Sequence, residues 1–210
     1  MAKNPRRKVK QRNKMMLIDK EFLNRTDKRQ WINENYWRLQ GSALFTKNNN
    51  NAISRLISNF CAKDCPTHDN LKKFVPSHIA AIYEDVDENG EKDIYILDIK
   101  PPFSTRQKLL DYLENTTDDY LIVMRYMIID MTQYNDYTRN RVHIKYGFLS
   151  AIQSVFKKFT VKHGMHCSES YIYSYNQQGY MYDINANKST PDNLMHYLIE
   201  KQKDYEHRCV

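Results

Sequence analysis

Three residues of the 210-residue chain have the side chains of a thiol-dependent hydrolase: His78, Asp98 and Cys167. A cysteine nucleophile needs an imidazole that takes its proton and a polar group that orients the imidazole. Cys167 follows the loop VKHGMH and precedes SESYIYSYNQ, a helix-like segment. A helix that begins there places the sulfur at the positive end of the helix dipole, which favours the thiolate. Its free main-chain N–H groups can also bind an oxyanion.

His78 and Asp98 lie on two segments that are predicted to pair as a hairpin. The strands are expected at 78–85 and 93–99, joined by DENG, in which Asn89-Gly90 is a strong turn signal. A turn centred between Asn89 and Gly90 places Asp98 opposite Ala81, three positions from His78. The pair then needs a bulge or a diagonal reach. The alternative interpretation is a capped strand end and a solvated carboxylate.

The remaining periodicity predicts an α+β fold, an antiparallel sheet flanked by helices. Before the hairpin the pattern predicts one or two helices at 15–39, capped between them by Thr26 or Asp27, a strand at 42–46, a helix at 52–60 and a surface loop at 61–75. After the hairpin it predicts a helix TRQKLLDYLEN capped by Ser104, a strand at 120–128 and a helical stretch at 136–159. The last two predicted elements are a helix from His166 or Cys167 to Gln178 and a helix that begins at Thr190-Pro191.

Four segments resemble, in order, the YiiX-like branch of the NlpC-type, circularly permuted papain-fold amidases and peptidases. They are ALFTKNNNNAISRLISNF, PSHIAAIYED, YILDIKPPF and HCSESYIYSYNQQGYMYDINANKSTPDNLMHYL, and the resemblance covers 42–198. It implies that Cys167 is the nucleophile, His78 the base and Asp98 the third triad member. In papain the cysteine comes first; here it comes last, as permutation requires.

The resemblance also implies a set of residues near the cleft. Ser77 precedes the histidine, Ser168 and Glu169 follow the cysteine, and Tyr146 stands where the family often has an aromatic-Asp pair. A core tyrosine is the alternative interpretation of Tyr146. The chain departs from the family pattern by having Asp98 where Glu is frequent and Ser42-Ala43 in place of Gly-Asp.

The positive charge of the chain is concentrated at its start. Of the 32 Lys and Arg residues, seven lie in a basic arm at 1–14, and the other 25 balance the 25 Asp and Glu residues. The seven residues of the arm are Lys3, Arg6, Arg7, Lys8, Lys10, Arg12 and Lys14. Such an arm can bind nucleic acid, anionic lipid or an acidic protein surface, or can be a solvated tail. The predicted organisation is this arm, a helical extension at 15–41, the papain-like domain at 42–198 and a C-terminal tail at 199–210.

Composition excludes several classes of protein. No apolar run reaches the length that spans a bilayer, and the basic start is not followed by a signal-peptide apolar region. The unevenly spaced cysteines favour reduced thiols, and we expect a protein of a microbial cytoplasm or of a phage particle. Cys61, Cys65 and His68 could bind zinc with a distant fourth ligand, but no second pair follows, so no metal or cofactor is expected.

Two functions are consistent with this pattern. The first is a cysteine hydrolase that cleaves an amide or acyl bond, with peptides, peptidoglycan or acyl lipids as the substrate classes that the resemblance implies. Neither His163 nor His166 is the expected base, because His166 is the direct neighbour of Cys167 and diverges from it on a helix. The second is a catalytically silent scaffold that assembles through its basic arm, for example in a phage particle.

Overall fold

A six-stranded antiparallel sheet forms the centre of the protein. The computed structural model describes residues 17–48, 74–147 and 165–208. The strands are β1 (Leu17–Asp19), β2 (Ala43–Lys47), β3 (His78–Val86), β4 (Lys92–Ile99), β5 (Ser104–Lys108) and β6 (Asp119–Val123). Their order across the sheet is β1-β6-β2-β3-β4-β5. The α+β class and the antiparallel sheet predicted from the sequence are confirmed.

Helices pack on the sheet, and carboxylates begin three of them. Asp19, Asp27 and Asp130 each accept a hydrogen bond from the main-chain N–H three residues later. This satisfies one of the free N–H groups at the start of a helix. The helices are α1 (Lys20–Asn24), α2 (Lys28–Glu34), α3 (Tyr36–Leu39), α4 (Leu109–Asn115), α5 (Met131–Arg139), α6 (Cys167–Asn176) and α7 (Pro191–Arg208), with a 3-10 turn at Ala186–Lys188.

Alternate side chains of the strands point to opposite faces of the sheet, and each face has its own core. One face packs against the tyrosine-rich α6 and against α7; its core includes Phe45, Ile79, Tyr83, Tyr171, Tyr175 and Leu194. The other face packs against the N-terminal segment and α4; its core includes Leu44, Ile82, Ile96, Leu23, Trp31 and Leu113. The sheet is therefore the middle layer of three.

Several predicted boundaries are corrected. Ser104 begins strand β5 and does not cap a helix, because its hydroxyl accepts from the N–H of Ile144 (2.7 Å) and bonds Arg141 O. The strand predicted to reach Ile128 ends at Val123, and Ile128 is 79% exposed. The predicted helical extension also contains β1, which joins the sheet. The helix predicted at 136–159 begins at Met131, and α5 ends at Arg139.

The last helix, α7, continues past position 198, the predicted end of the domain, to Arg208. Other predictions fall outside the described residues. These are the basic arm at 1–14, the helix at 52–60, most of the loop at 61–75, the end of the helical stretch at 148–159, and the residues Cys61, Cys65, His68 and His163.

Gly41 joins the N-terminal helices to β2 at a position that tolerates no side chain. Its φ is +82°, and a Cβ there would lie 2.8 Å from both Ile129 Cδ1 and Tyr175 Oη. We expect Gly41→Ala to lower the free energy of unfolding by about 2 to 3 kcal/mol, measured by urea denaturation. Gly90→Ala is the matched control, because Gly90 has φ +79° with open space around it. Gly90→Ala should lower the free energy of unfolding by only about 1 kcal/mol, the cost of a positive φ for alanine. An equal loss of stability in the two variants would contradict the packing role of Gly41.

Candidate active site

His78 and Asp98 lie on one side of the hairpin because of the observed register. Asp98 pairs with Ala80, and the predicted pairing with Ala81 is wrong by one residue. The reason is the turn, in which the Asp87 carboxylate accepts the N–H groups of Asn89 and Glu91 at 2.8 and 3.0 Å. Since His78 is two positions from Ala80, its side chain shares the orientation of Asp98, and no bulge is required.

The two side chains are in direct contact. His78 Nε2 lies 2.6 Å from Asp98 Oδ1, and their side chains are 12% and 13% exposed. Burial lowers the pKa of His78, but the Asp98 carboxylate and the neighbouring Cys167 outweigh burial and raise the pKa to about 9. Burial raises the pKa of Asp98, but His78 and Lys100 outweigh it and lower the pKa to about 2. At neutral pH the pair is therefore imidazolium and carboxylate.

Cys167 is the first residue of α6, as the sequence predicts. The helix begins with a reciprocal cap: His166 Nδ1 accepts the N–H of Glu169 at 3.0 Å, and Glu169 Oε2 accepts the N–H of His166 at 3.4 Å. Burial lowers the pKa of His166 to about 4, so the ring stays neutral and can accept. His166 thus positions the helix that carries Cys167.

The Cys167 thiol is free and hydrogen-bonded to His78, and the residue as a whole is partly exposed. Burial raises the pKa of the thiol, but the charge and hydrogen bond of His78, with the N–H groups of Ile79 and Ser168, outweigh burial and lower the pKa. Because Nε2 of His78 faces Asp98, Nδ1 is the ring nitrogen left for the sulfur. Cys167, His78 and Asp98 therefore form a continuous chain of contacts.

The predicted cleft residues have different surroundings. Tyr146 lies near Cys167, and burial with the charge of Cys167 raises the pKa of its phenol. Its N–H donates to Pro102 O at 3.0 Å, and its main chain bridges to Met165. Ser77 and Ser168 are buried, so their side chains do not line an open surface. Ser168 contributes its main-chain N–H instead, and Glu169 contributes to the cap.

One contact at the site is not predicted from the sequence. Lys100 Nζ lies 2.8 Å from Asp98 Oδ2, the carboxylate oxygen that does not face His78. The signal was available, because Asp98 and Lys100 are two positions apart and strand residues at that spacing share a side. The cap by His166 had no comparable signal, since Ser, Thr, Asp and Asn are the usual capping residues.

Within 17–48, 74–147 and 165–208, no group of three His, Cys, Asp or Glu side chains could hold a metal ion. The zinc candidates Cys61, Cys65 and His68 lie outside these ranges. In the same part of the chain, none of the helices has the length and apolar character needed to cross a membrane.

Comparisons of the chain with protein-family models, with curated proteins and with solved structures found no match. The chemistry of the site therefore follows from its own geometry and charges.

Proposed function

We propose that the protein is a cysteine hydrolase that cleaves an amide or acyl bond with Cys167 as nucleophile. The observation that carries this proposal is the chain of contacts from Asp98 through His78 to the free thiol of Cys167 at the N-terminus of α6. Each partner has the electrostatic state that its role needs: a carboxylate, an imidazolium and a thiol that ionises readily.

The reaction follows from this arrangement in two steps. The Cys167 thiolate attacks the substrate carbonyl, and the main-chain N–H of Cys167 at the start of α6 binds the developing oxyanion. The S–C bond forms, the bond from carbon to the leaving group breaks, and His78 gives its proton to the leaving group. Water then attacks the thioester and gives a proton to His78, and the carboxylic acid departs as the thiolate is restored. Asp98 orients the imidazole throughout.

We also propose that the domain is a permuted papain fold. The supporting features are the chain order His78, Asp98, Cys167 and the placement of the nucleophile at a helix N-terminus beside an antiparallel sheet. The resemblance to the YiiX-like branch extends this to peptides, peptidoglycan stem peptides or acyl lipids as substrates, in a microbial cytoplasm or a phage particle. In each case the scissile group is a carbonyl, as the thiolate requires.

The second candidate is a silent scaffold in which the fold is kept and the basic arm binds a partner protein or nucleic acid. Two features favour the hydrolase. Cys167 is a free cysteine and is partly exposed as a residue. The N-terminal helices, which could have filled a cleft, contribute Leu23, Trp31 and Leu39 to the core on the face of the sheet opposite α6.

An amide-containing thiol-reactive probe tests the proposed function. We expect the wild type to be labelled on Cys167 in a saturable manner and Cys167→Ala to lose the labelling. The control variant replaces Cys61, Cys65 and Cys209 by alanine and should be labelled like the wild type. Wild type without saturable labelling, or Cys167→Ala labelled at the wild-type rate, would contradict the hydrolase and favour the scaffold.

A further inference from the structure

Asp98 is held from two sides by opposite charges. Its Oδ1 contacts His78 Nε2 at 2.6 Å, and its Oδ2 contacts Lys100 Nζ at 2.8 Å. The carboxylate is nearly buried, whereas the Lys100 side chain is 47% exposed. Both carboxylate oxygens therefore have a cationic partner, and this fixes the rotation of the carboxylate group about its own axis.

Lys100 occupies a distinct place relative to the nucleophile. It lies one residue beyond the end of β4, and the titratable groups that act on it are Asp98, Tyr112 of α4 and Asp118, which precedes β6. Cys167 belongs to α6, which packs on the opposite face of the sheet. Lys100 can therefore act on the thiol only through Asp98 and His78, and cannot replace His78 as the base.

The charge of Lys100 has a definite sign of effect on the pair. A cation beside a carboxylate weakens the hold of that carboxylate on a second cation, because the negative charge is shared. Without Lys100, Asp98 would bind the His78 imidazolium more tightly, and the imidazolium would release its proton less readily. Free rotation of the carboxylate would also allow either oxygen to face the imidazole.

We propose that Lys100 is a positioning residue of the site, which holds Asp98 Oδ1 toward His78 and limits how strongly Asp98 retains the imidazolium. This inference rests on the proposed function, because it assigns Lys100 to the same reaction. The Asp98 carboxylate then affects His78 with part of its negative charge already neutralised by Lys100. His78 therefore gives up its proton in the first step of the reaction more easily than it would beside a carboxylate without the lysine.

Titration of His78 by proton NMR tests the proposal without any substrate. The His78 resonance is identified by its loss in His78→Gln. We expect Lys100→Met to raise the pKa of the His78 imidazolium by about half a unit to one unit. Lys100→Arg, which keeps the charge, should leave that pKa within about a quarter of a unit of the wild type. An unchanged pKa in Lys100→Met would overturn the proposal.

A second experiment measures the rate at which Cys167 is alkylated as a function of pH. The rate is quantified on the peptide that contains Cys167. We expect the pH at which the alkylation rate changes as the His78 imidazolium loses its proton to rise by about half a unit to one unit in Lys100→Met and to be restored in Lys100→Arg. A merely structural ion pair would change the unfolding free energy but neither titration. If the His78 shift is found while wild-type Cys167 reacts as an ordinary thiol, the hydrolase fails and the coupling of Lys100 to His78 stands.

Discussion

Replacing His78 by alanine should slow the alkylation of Cys167 by iodoacetamide at pH 6 by about 10-fold or more. The thiolate is the reactive form, and in the wild type the His78 charge and hydrogen bond lower the pKa of the thiol against the effect of burial. Without His78 the thiol should return to a pKa of about 8.5 or above, where only about 0.3% is ionised at pH 6. The rate is measured on the peptide that contains Cys167, so that Cys61, Cys65 and Cys209 do not contribute.

The control for this experiment is His143→Asn. His143 is an exposed histidine with φ +68°, a conformation that asparagine tolerates, and it is not among the groups that act on Cys167. We expect its alkylation rate to match the wild type within about twofold. A His78→Ala variant that reacts at the same rate as His143→Asn would show that His78 does not activate the thiol.

Replacing Asp98 by asparagine should remove a pH-dependent part of the stability, on the order of 2 kcal/mol at pH 5.5. Asparagine keeps the shape and a hydrogen bond to His78 but removes the charge. The comparison is made in a Cys167→Ala background, because ionisation of the thiol contributes a pH dependence of opposite sign. Urea denaturation at a series of pH values gives the unfolding free energy of each variant.

The sign of this effect follows from the two shifted groups. The pKa of His78 is raised in the folded state, so its contribution is complete below about pH 6.5 and is lost as pH rises through about 9. The pKa of Asp98 is lowered, so its contribution is present above about pH 3.9 and is lost as pH falls through about 2. The stability difference between the Cys167→Ala protein and the same protein with Asp98→Asn should be largest between about pH 4 and 6.5. It should shrink as pH rises through the pKa of His78, which in this background lies below about 9 because the contribution of Cys167 is absent. If the difference in unfolding free energy stays constant from about pH 5 to 10, the charges of His78 and Asp98 do not stabilise the folded protein, which would contradict the prediction.

The parts of the site that the sequence predicts depend on local signals. Asn89-Gly90 marks the hairpin that brings two strands together, and the change from VKHGMH to SESYIYSYNQ marks the start of α6 at Cys167. Both signals act within a few residues, where the conformational preferences of turns and helix ends dominate. These signals make His78, Asp98 and Cys167 candidates one by one, and the resemblance of four segments to one family is what predicts them as a triad.

The register of the hairpin could not be predicted from the same signals. The side chain of Asp87 accepts the N–H of Glu91 and widens the turn, which moves the partner of Asp98 from Ala81 to Ala80. A shift of one residue exchanges the two faces of a strand. A hydrogen bond in the turn therefore decides whether His78 meets Asp98 directly.

The sequence does not indicate the strands at the edges of the sheet, for a different reason. Strand β5 has the sequence STRQK, with exposed residues at its centre, so it shows neither the apolar run nor the alternation of a half-buried strand. Its pairing with β4 forms it, together with the contacts of Ser104 to residues 141–144. β1 has only three residues and is specified by pairing with β6. β1 therefore depends on a partner distant in the chain, and the start of β5 depends on the distant residues that contact Ser104.

The ionisation of Cys167 tests the central claim most directly. The ultraviolet absorbance of the thiolate, taken as the difference between the wild type and Cys167→Ser across about pH 4 to 10, isolates this thiol from the other three cysteines. We predict a transition at least about one unit below the ordinary thiol pKa of about 8.5, and its return to that value in His78→Ala. A wild-type transition at about 8.5 or above, unaffected by His78→Ala, would contradict the proposed activation of the thiol.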